Sequence, residues 1–228
     1  SEPEAASFRL RGVSYLEDGV KVPSAPFLFR LLLIDLFKSK LMTTNICARP
    51  DNRVFQAWKR GESDFYFVLN IMVPIKDGHT LSYVAYWKGD PQIFKQSSPF
   101  AKIATKFFDG DDDEFRNNRF KLIPRVVKGP YIVKLAVKDK PTLLGNKLQQ
   151  QYWKGPNYFE IDVDISSSVI AKNTVGLCIG ASTSIVVDMG ICLQGNEEDE
   201  LPEVMLAAVT GVYLDTSLAK ELQNESTI

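Results

Sequence analysis

Residues 65–87 read FYFVLNIMVPIKDGHTLSYVAYW. Two apolar runs, Phe65 to Ile75 and Thr80 to Trp87, enclose the short polar segment Lys76-Asp77-Gly78-His79. An Asp-Gly pair between two apolar runs is typical of a β-hairpin, because the turn needs a positive φ that glycine adopts without strain. The stretch therefore predicts a hairpin and favours a fold built on antiparallel strands.

Further strands are predicted downstream of this hairpin. Residues 158–165 alternate apolar and acidic side chains, which is the pattern of a strand with one buried and one solvated face. Residues 120–126, 131–137 and 184–193 also form short apolar runs bounded by turn residues, and each predicts a strand.

Two helices are predicted from apolar residues at helical spacing. One covers residues 100–108 and ends at Asp109-Gly110. The other covers residues 201–214, begins with Pro202 in its first turn, and lines one side with Leu201, Val204, Met205, Ala208 and Val212. Residues 40–63 show no regular pattern and are expected to form a long surface excursion.

Strands outnumber helices, and neither a repeat nor a linker divides the chain. We therefore expect one α+β domain over residues 1–228, with a mostly antiparallel, curved sheet and a C-terminal amphipathic helix. A START-like, helix-grip form of this architecture would enclose an internal cavity between the sheet and that helix.

Composition narrows the class of protein. The chain has 228 residues, 45% of them apolar, so it is long enough for a full hydrophobic core. The net charge of -1 argues against a nucleic-acid binder, which usually carries a basic surface. Three cysteines without a Cys-x-x-Cys spacing disfavour disulfides and structural zinc, so a cytoplasmic location is expected, with peripheral membrane contact left open.

Residues 109–121 read DGDDDEFRNNRFK, an acidic turn that runs into a basic, aromatic strand. This string resembles the hallmark of the Enhanced Disease Resistance 2 C-terminal domain family of plants, algae and protists. Further matching motifs are Arg11-Gly12, Tyr15-Leu16, Lys21-Val22-Pro23, Leu122-Ile123-Pro124, Lys128-Gly129-Pro130, Leu143-Leu144-Gly145, the stretch from Tyr158 to Ile165, and Leu201-Pro202-Glu203. In larger plant members this domain follows a membrane-targeting pleckstrin-type domain and a lipid-binding START-type domain. The resemblance thus implies a setting close to lipids and a role in restraining defence signalling and cell death.

The acidic turn does not fit a calcium loop. An EF-hand loop that begins at Asp109 needs glycine at the position of Glu114 and glutamate at the position of Phe120. No metal site is predicted. The hallmark is instead expected to hold the entry to the strand at Phe120 through charge pairing among Asp111, Asp112, Asp113, Arg116 and Arg119.

The chain also lacks a convincing catalytic constellation. Gly176-Leu177-Cys178-Ile179-Gly180 has the spacing of a nucleophile elbow, but the elbow needs a helix after the nucleophile and a histidine further downstream. The single histidine, His79, lies upstream in the hairpin turn. There is no glycine-rich phosphate loop, so no nucleotide cofactor is expected. We predict that the protein is not an enzyme, with a thiol or carboxylate hydrolase as the remaining catalytic alternative.

Three carboxylates mark residues 158–165. Glu160, Asp162 and Asp164 are expected on the solvated face of the strand. There they would pair across the sheet with basic residues on neighbouring strands, which are Lys121, Arg125, Lys134 and Lys138.

The remaining signal is an excess of aromatic and aliphatic side chains in the predicted hairpins. A sheet closed by an amphipathic helix can enclose a cavity for an apolar ligand. The candidate lining residues are Phe65, Phe67, Leu69, Tyr83, Tyr86, Trp87, Tyr131, Trp153, Tyr158, Val204, Met205, Ala208 and Val212. The predicted function is a non-catalytic module that binds a lipid, a sterol or an isoprenoid pigment. The alternative is a protein-interaction or regulatory domain in defence or cell-death signalling that has no small-molecule ligand.

Overall fold

The computed structural model of the chain describes residues 1–90, 92 and 98–222. Within these residues the chain forms an α+β fold. The helices are α1 (Tyr15–Asp18), α2 (Arg53–Lys59), α3 (Pro99–Asp109), α4 (Asp113–Asn117), α5 (Tyr131–Val137) and α6 (Val169–Gly180). The strands are β1 (Arg9–Arg11), β2 (Lys21–Pro23), β3 (Arg30–Ser39), β4 (Phe65–Pro74), β5 (Thr80–Gly89), β6 (Phe120–Lys128), β7 (Thr142–Leu143), β8 (Gln149–Lys154), β9 (Tyr158–Asp164), β10 (Val186–Leu193), β11 (Met205–Val212) and β12 (Lys220–Glu221).

The described strands pair mostly antiparallel, as predicted. A six-stranded sheet has the order β12-β3-β5-β4-β9-β8, and a four-stranded sheet has the order β11-β10-β6-β7. β1 and β2 form a separate antiparallel pair. The predicted hairpin is β4 and β5, with Phe65 opposite Gly89 and Pro74 opposite Thr80, and Gly78 takes φ 81° in its turn.

The main hydrophobic core lies between the two sheets. Phe67, Trp87 and Phe159 from the six-stranded sheet pack in it with Ile191 and Leu206 from the four-stranded sheet. Helix α3 begins after Ser98, whose side chain caps its N-terminus. Its apolar residues recur at helical spacing, so they form one row that packs in this core. The predicted helix over residues 100–108 is thus confirmed.

A second core covers the opposite face of the six-stranded sheet. Tyr66, Val68, Val84 and Tyr86 on that face contact Ile46, Cys47, Val54 and Ala57. These last four residues belong to the segment 40–63, which was expected to be a surface excursion. Both faces of β4 and β5 are therefore buried, which explains why their sequences are apolar without alternation.

The prediction of a strand over residues 131–137 was wrong, because this segment is helix α5. Its N-terminus follows Gly129-Pro130, and Val133 packs with Val126 and Ile185 at the ends of neighbouring strands. Val133 and Val137 are four residues apart, so a helix turns both toward the same neighbours.

The prediction of a C-terminal amphipathic helix over residues 201–214 was also wrong. Residues 205–212 form strand β11, which pairs with β10 along its whole length. The register of this pairing shifts between Ile191 and Cys192. Met205 and Ala208 pack on one side of the sheet, and Leu206 and Val209 pack in the main core. Burial on both sides produces an apolar run whose spacing imitates a helix. The described C-terminal residues therefore do not supply the helix that a helix-grip arrangement needs.

Candidate functional site

An apolar cleft of about 530 Å³ opens between the two sheets. Its first wall is the six-stranded sheet, which contributes Leu36, Ile71, Val73, Tyr83 and Val163. These side chains belong to four adjacent strands, β3, β5, β4 and β9, and they point to the side of the main core. The wall is continuous because the strands are hydrogen-bonded neighbours.

The second wall is the four-stranded sheet. Leu122 and Pro124 on β6 face the cleft together with Val187 and Met189 on β10. β6 and β10 are paired, with Met189 opposite Pro124 and Ile191 opposite Leu122. The cleft is therefore lined by two sheets and differs from the expected space between a sheet and a C-terminal helix.

Helix α6 forms the roof of the cleft. Ile170, Ala171, Val175, Cys178 and Ile179 all line it. The helix begins after Ser168, whose side chain accepts a hydrogen bond from the Ala171 backbone N–H at 3.4 Å. None of its residues is fully buried, although most of them are apolar. A helix of this composition is normally buried in a core, so its position over an open cleft is unusual.

Few polar atoms meet the cleft. Lys147 is the one charged residue in the lining among the described residues, together with a few serine and threonine side chains. Tyr83 also lines the cleft, and its buried hydroxyl has no hydrogen-bond partner in the described part of the chain. Burial raises the pKa of Tyr83, so its hydroxyl stays protonated and remains a donor.

Cys178 does not have the setting of a nucleophile. It lies in the last turns of α6, whereas an elbow would place it between a strand and a helix. Burial raises the pKa of the Cys178 thiol, which keeps it protonated and poorly reactive. His79 lies in the β4–β5 turn, with Nδ1 3.1 Å from Asp77 Oδ1.

The thirteen residues predicted to line a cavity are dispersed, and of these only Tyr83 lines the cleft. Phe65, Phe67, Leu69, Trp87 and Val204 lie in or against the main core. Tyr86, Tyr158 and Trp153 lie on the opposite face of the six-stranded sheet. Met205 and Ala208 pack with Phe8 and Phe27 on the far side of the four-stranded sheet, whereas Tyr131 and Val212 are exposed.

Sequence reasoning missed helix α6, which supplies much of the lining. The apolar residues of 169–180 are spread around the whole helix and show no helical periodicity. The available signal was Ser168 directly before a twelve-residue run that contains Lys172 and Asn173, since serine is a favoured N-cap.

Glu160 and Asp162 were expected on a solvated face of β9, but they form a buried pair. Glu160 and Asp162 are almost completely buried, and the segment around Asn45 covers them. Glu160 Oε1 accepts from the Ile46 N–H at 2.7 Å, and Oε2 accepts from the Cys47 N–H at 2.8 Å. Asp162 accepts from the Asn45 N–H at 2.9 Å and from Trp153 Nε1 at 2.7 Å.

The expected pairing of these carboxylates with basic residues of neighbouring strands was also wrong. β9 lies between β4 and β8, so the basic residues of β6 are not beside it. Arg125 instead pairs with Asp188 on β10, with Nη2 2.5 Å from Oδ2. Burial raises the pKa of Glu160 well above its ordinary value and also raises the pKa of Asp162. The two carboxylates anchor the segment 43–48 to the sheet through its backbone N–H groups.

The acidic and basic hallmark holds the start of β6. Asp112 caps helix α4 by accepting from the Phe115 N–H at 2.8 Å, and Asp113 pairs with Arg116 at 2.7 Å. Arg116 Nε donates to the Phe107 carbonyl at 2.8 Å. Asp111 is exposed. These contacts join the end of α3 to α4 and fix the approach to Phe120.

Comparison with known proteins shows the family of this chain. The family model described as "Protein ENHANCED DISEASE RESISTANCE 2, C-terminal" matches residues 1–215. The chain belongs to the Enhanced Disease Resistance 2 C-terminal family. It is 39% identical over 214 residues to the Arabidopsis thaliana protein named "Protein ENHANCED DISEASE RESISTANCE 2-like". That alignment covers 93% of this chain and 28% of the relative. No solved structure matches the chain.

Three of the motifs quoted in the sequence analysis meet in one ionic cluster. Glu203, which is buried, forms an ion pair with Lys121 and lies 3.6 Å from Arg11 Nε. Its Oε2 also accepts from the Arg11 backbone N–H at 3.1 Å. The cluster joins β1, β6 and the residues before β11, so it ties the N-terminal strand pair to the four-stranded sheet.

No helix in the described ranges combines the length and the apolar character needed to cross a bilayer.

Proposed function

We propose that this domain is a non-catalytic module that binds one apolar small molecule in the cleft between its two sheets. The candidate ligands are a lipid, a sterol or an isoprenoid pigment. The observation that supports this function is the cleft itself, which has a volume of about 530 Å³ and is lined mainly by aliphatic side chains. Pockets of roughly 300–1,000 Å³ with apolar walls and few polar groups are typical of small-molecule sites.

The physical driving force would be burial of apolar surface on both partners. An empty cleft leaves Ile71, Met189 and Val175 in contact with water, and a ligand would remove that contact. The hydroxyl of Tyr83, which has no partner among the described residues, supports a ligand that carries an oxygen acceptor, because a buried donor without a partner costs free energy. A non-catalytic role is part of this proposal, since Cys178 has neither a raised reactivity nor the local geometry of a nucleophile.

Native mass spectrometry of the purified chain, followed by solvent extraction, tests the proposal. We expect a copurified apolar molecule, or uptake of oleic acid, a plant sterol or a carotenoid when each is added separately. Failure to copurify or take up any apolar molecule would contradict the proposal.

A pair of variants on helix α6 ties binding to the cleft. Ala171→Trp fills the space, because Ala171 lines the cleft. Asn173→Trp places the same side chain on the exposed surface of the same helix. We expect ligand uptake to be lost in Ala171→Trp and kept in Asn173→Trp. Equal uptake by both variants would place the ligand elsewhere.

A regulatory module that works through protein contacts is the second candidate function. The name of the Arabidopsis relative refers to disease resistance, and this domain carries several exposed apolar side chains that a partner would cover, including Tyr131 and Ile132. A cytoplasmic location remains part of both proposals. This second function would be favoured if the wild-type chain takes up no ligand and forms a stable protein complex.

A further inference from the structure

Helix α5 exposes an unusual amount of apolar surface for so short an element. Tyr131 is 78% exposed, Ile132 60% and Leu135 56%. Val133, by contrast, is buried against Val126 and Ile185. One side of α5 thus attaches the helix to the protein, and its other side presents three large apolar side chains to solvent.

Helix α6 carries two further exposed apolar side chains. Val169 is 74% exposed and Ile170 is 80% exposed, both at the start of the helix. α5 and α6 pack together, since Val137 of α5 shares a hydrophobic cluster with Cys178 of α6. We call the surface of residues 127–148 and 165–187, which include these two helices, the α5–α6 face. Ile170 also lines the cleft, so the α5–α6 face reaches its mouth.

The charge of the α5–α6 face is strongly positive although the whole chain carries -1. Its acidic residue is Asp139, whose Oδ1 accepts from the Val126 backbone N–H at 2.9 Å. Its basic residues are all exposed, and they are Lys128, Lys134, Lys138, Lys140, Lys147 and Lys172. Exposed apolar side chains that share these two stretches with six exposed lysines and one acid form a pattern that favours an anionic, apolar partner.

We propose that the α5–α6 face docks the domain onto the surface of a bilayer that contains anionic lipids. Tyr131, Ile132 and Leu135 would enter the boundary between headgroups and acyl chains, where aromatic and aliphatic side chains of interfacial helices lie. The lysines would contact the anionic headgroups. This inference goes beyond ligand binding and holds whether or not the cleft is occupied, although it would bring the cleft mouth to the membrane.

A second copy of the chain fits the α5–α6 face less well. A two-fold symmetric contact would oppose the same patch in both subunits, which brings the two sets of lysines together. Like charges at close range oppose such an association, so an anionic lipid surface fits this face better than a second copy does.

Sedimentation with vesicles of phosphatidylcholine, with and without phosphatidylserine, tests the proposal. We expect the 228-residue chain to bind the vesicles that contain phosphatidylserine and to lose this binding at high salt, because screening weakens the lysine contacts. Ile132→Glu/Leu135→Glu should abolish binding. Lys134→Glu/Lys138→Glu should lower the partition coefficient by more than about tenfold, since each lysine near the surface contributes about a factor of five.

The matched control is Val13→Glu/Leu41→Glu, which adds the same charge at two exposed apolar residues outside the α5–α6 face. We expect this control to bind vesicles like the wild type, and thermal unfolding should show that all variants are folded. The proposal is overturned if the wild type binds neither vesicle, if the control loses binding as fully as Ile132→Glu/Leu135→Glu, or if this face mediates a dimer or a protein complex without lipid. Leu36→Trp fills the cleft from β3, outside the α5–α6 face, and should still bind vesicles, so a failure of ligand binding and a failure of docking are separable.

Discussion

Arg119 and Glu200 form an ion pair across 81 residues of sequence, with Nη2 3.0 Å from Oε1. Both side chains are largely buried, and the Arg119 guanidinium lies 5.0 Å from the centroid of the Phe115 ring. Glu200 also accepts from the Asn196 N–H at 2.7 Å. The pair joins the start of β6 to the loop that follows β10, which gives the family hallmark a structural role.

Arg119→Ala should therefore destabilise the domain. Removal of one partner leaves the Glu200 carboxylate buried without its cation, and we expect a loss of about 3 kcal/mol in the free energy of unfolding. Urea unfolding measures this loss. Lys102→Ala is the control, because its pair with Asp199 is exposed and screened by solvent, so its loss should change stability far less than Arg119→Ala does. Ligand uptake by the folded fraction should not change. An Arg119→Ala variant with full stability but no ligand uptake would show that the hallmark is a binding site.

Glu160 should make the domain less stable as the pH rises. Burial raises the pKa of Glu160 in the folded state well above its unfolded value near 4.5. Between these two pKa values the folded state holds more protons than the unfolded state, so the free energy of unfolding falls with increasing pH. The stability is fully present below the unfolded pKa and is lost as the pH rises through the folded pKa.

Glu160 also shares a side-chain hydrogen bond with Asp162. Glu160→Gln checks this prediction, because glutamine does not ionise and its amide can donate in that hydrogen bond. We expect the variant to show a flatter dependence of unfolding free energy on pH than the wild type when urea unfolding is compared from mildly acidic to mildly basic pH. At acidic pH the variant should be less stable by about 1–3 kcal/mol, since one of two buried backbone N–H groups loses its acceptor. Parallel pH profiles for the two proteins would contradict the assignment.

Tyr83→Phe should leave the ligand-free domain equally stable or make it more stable. The Tyr83 hydroxyl is buried and has no partner among the described residues, so its removal relieves a desolvation cost. Tyr86→Phe is the matched control, because the Tyr86 hydroxyl accepts from Asn52 Nδ2 at 3.0 Å. We expect thermal unfolding to show a lower midpoint for Tyr86→Phe and not for Tyr83→Phe. A clear loss of stability in Tyr83→Phe would mean that its hydroxyl is already satisfied.

Phe67→Ala should be among the most destabilising substitutions in the six-stranded sheet. Phe67 is fully buried, and its ring centroid lies 5.7 Å from that of Trp87 and 5.9 Å from that of Phe29. A cavity at this position should cost about 3–5 kcal/mol, as measured by urea unfolding. Tyr131→Ala removes a ring that is 78% exposed, so it should change stability by less than about 0.5 kcal/mol. Similar losses for both would mean that Tyr131 is covered in solution.

Local signals in the sequence were sufficient for the elements that depend on a turn or a clear period. The hairpin of β4 and β5 was predicted because Asp77-Gly78 specifies its turn. Helix α3 was predicted because its apolar residues recur at helical spacing and its end coincides with Gly110. The family was identified from short motifs, and the match over residues 1–215 confirms it.

The cleft could not be predicted, because its lining comes from residues that are distant in the chain. Leu36, Val163 and Met189 meet there through the pairing order of two sheets. Helix α6 gave no periodic signal, since its apolar residues are spread around the helix and do not form one stripe. Tyr83 was selected for its type and its place in the hairpin, and it is the one selected residue that lines this space.

The sequence by itself determined the family, the hairpin, and the mostly antiparallel α+β class, because turns, caps and residue periodicity are local properties. Only the tertiary structure decided whether residues 131–137 and 205–212 are helix or strand, since apolar runs of this length satisfy either pattern until their neighbours are fixed. It also decided that Glu160 is buried. Alternation predicts one solvated face, but the segment 43–48 covers that face with backbone N–H groups, and these hydrogen bonds stabilise the carboxylate away from water.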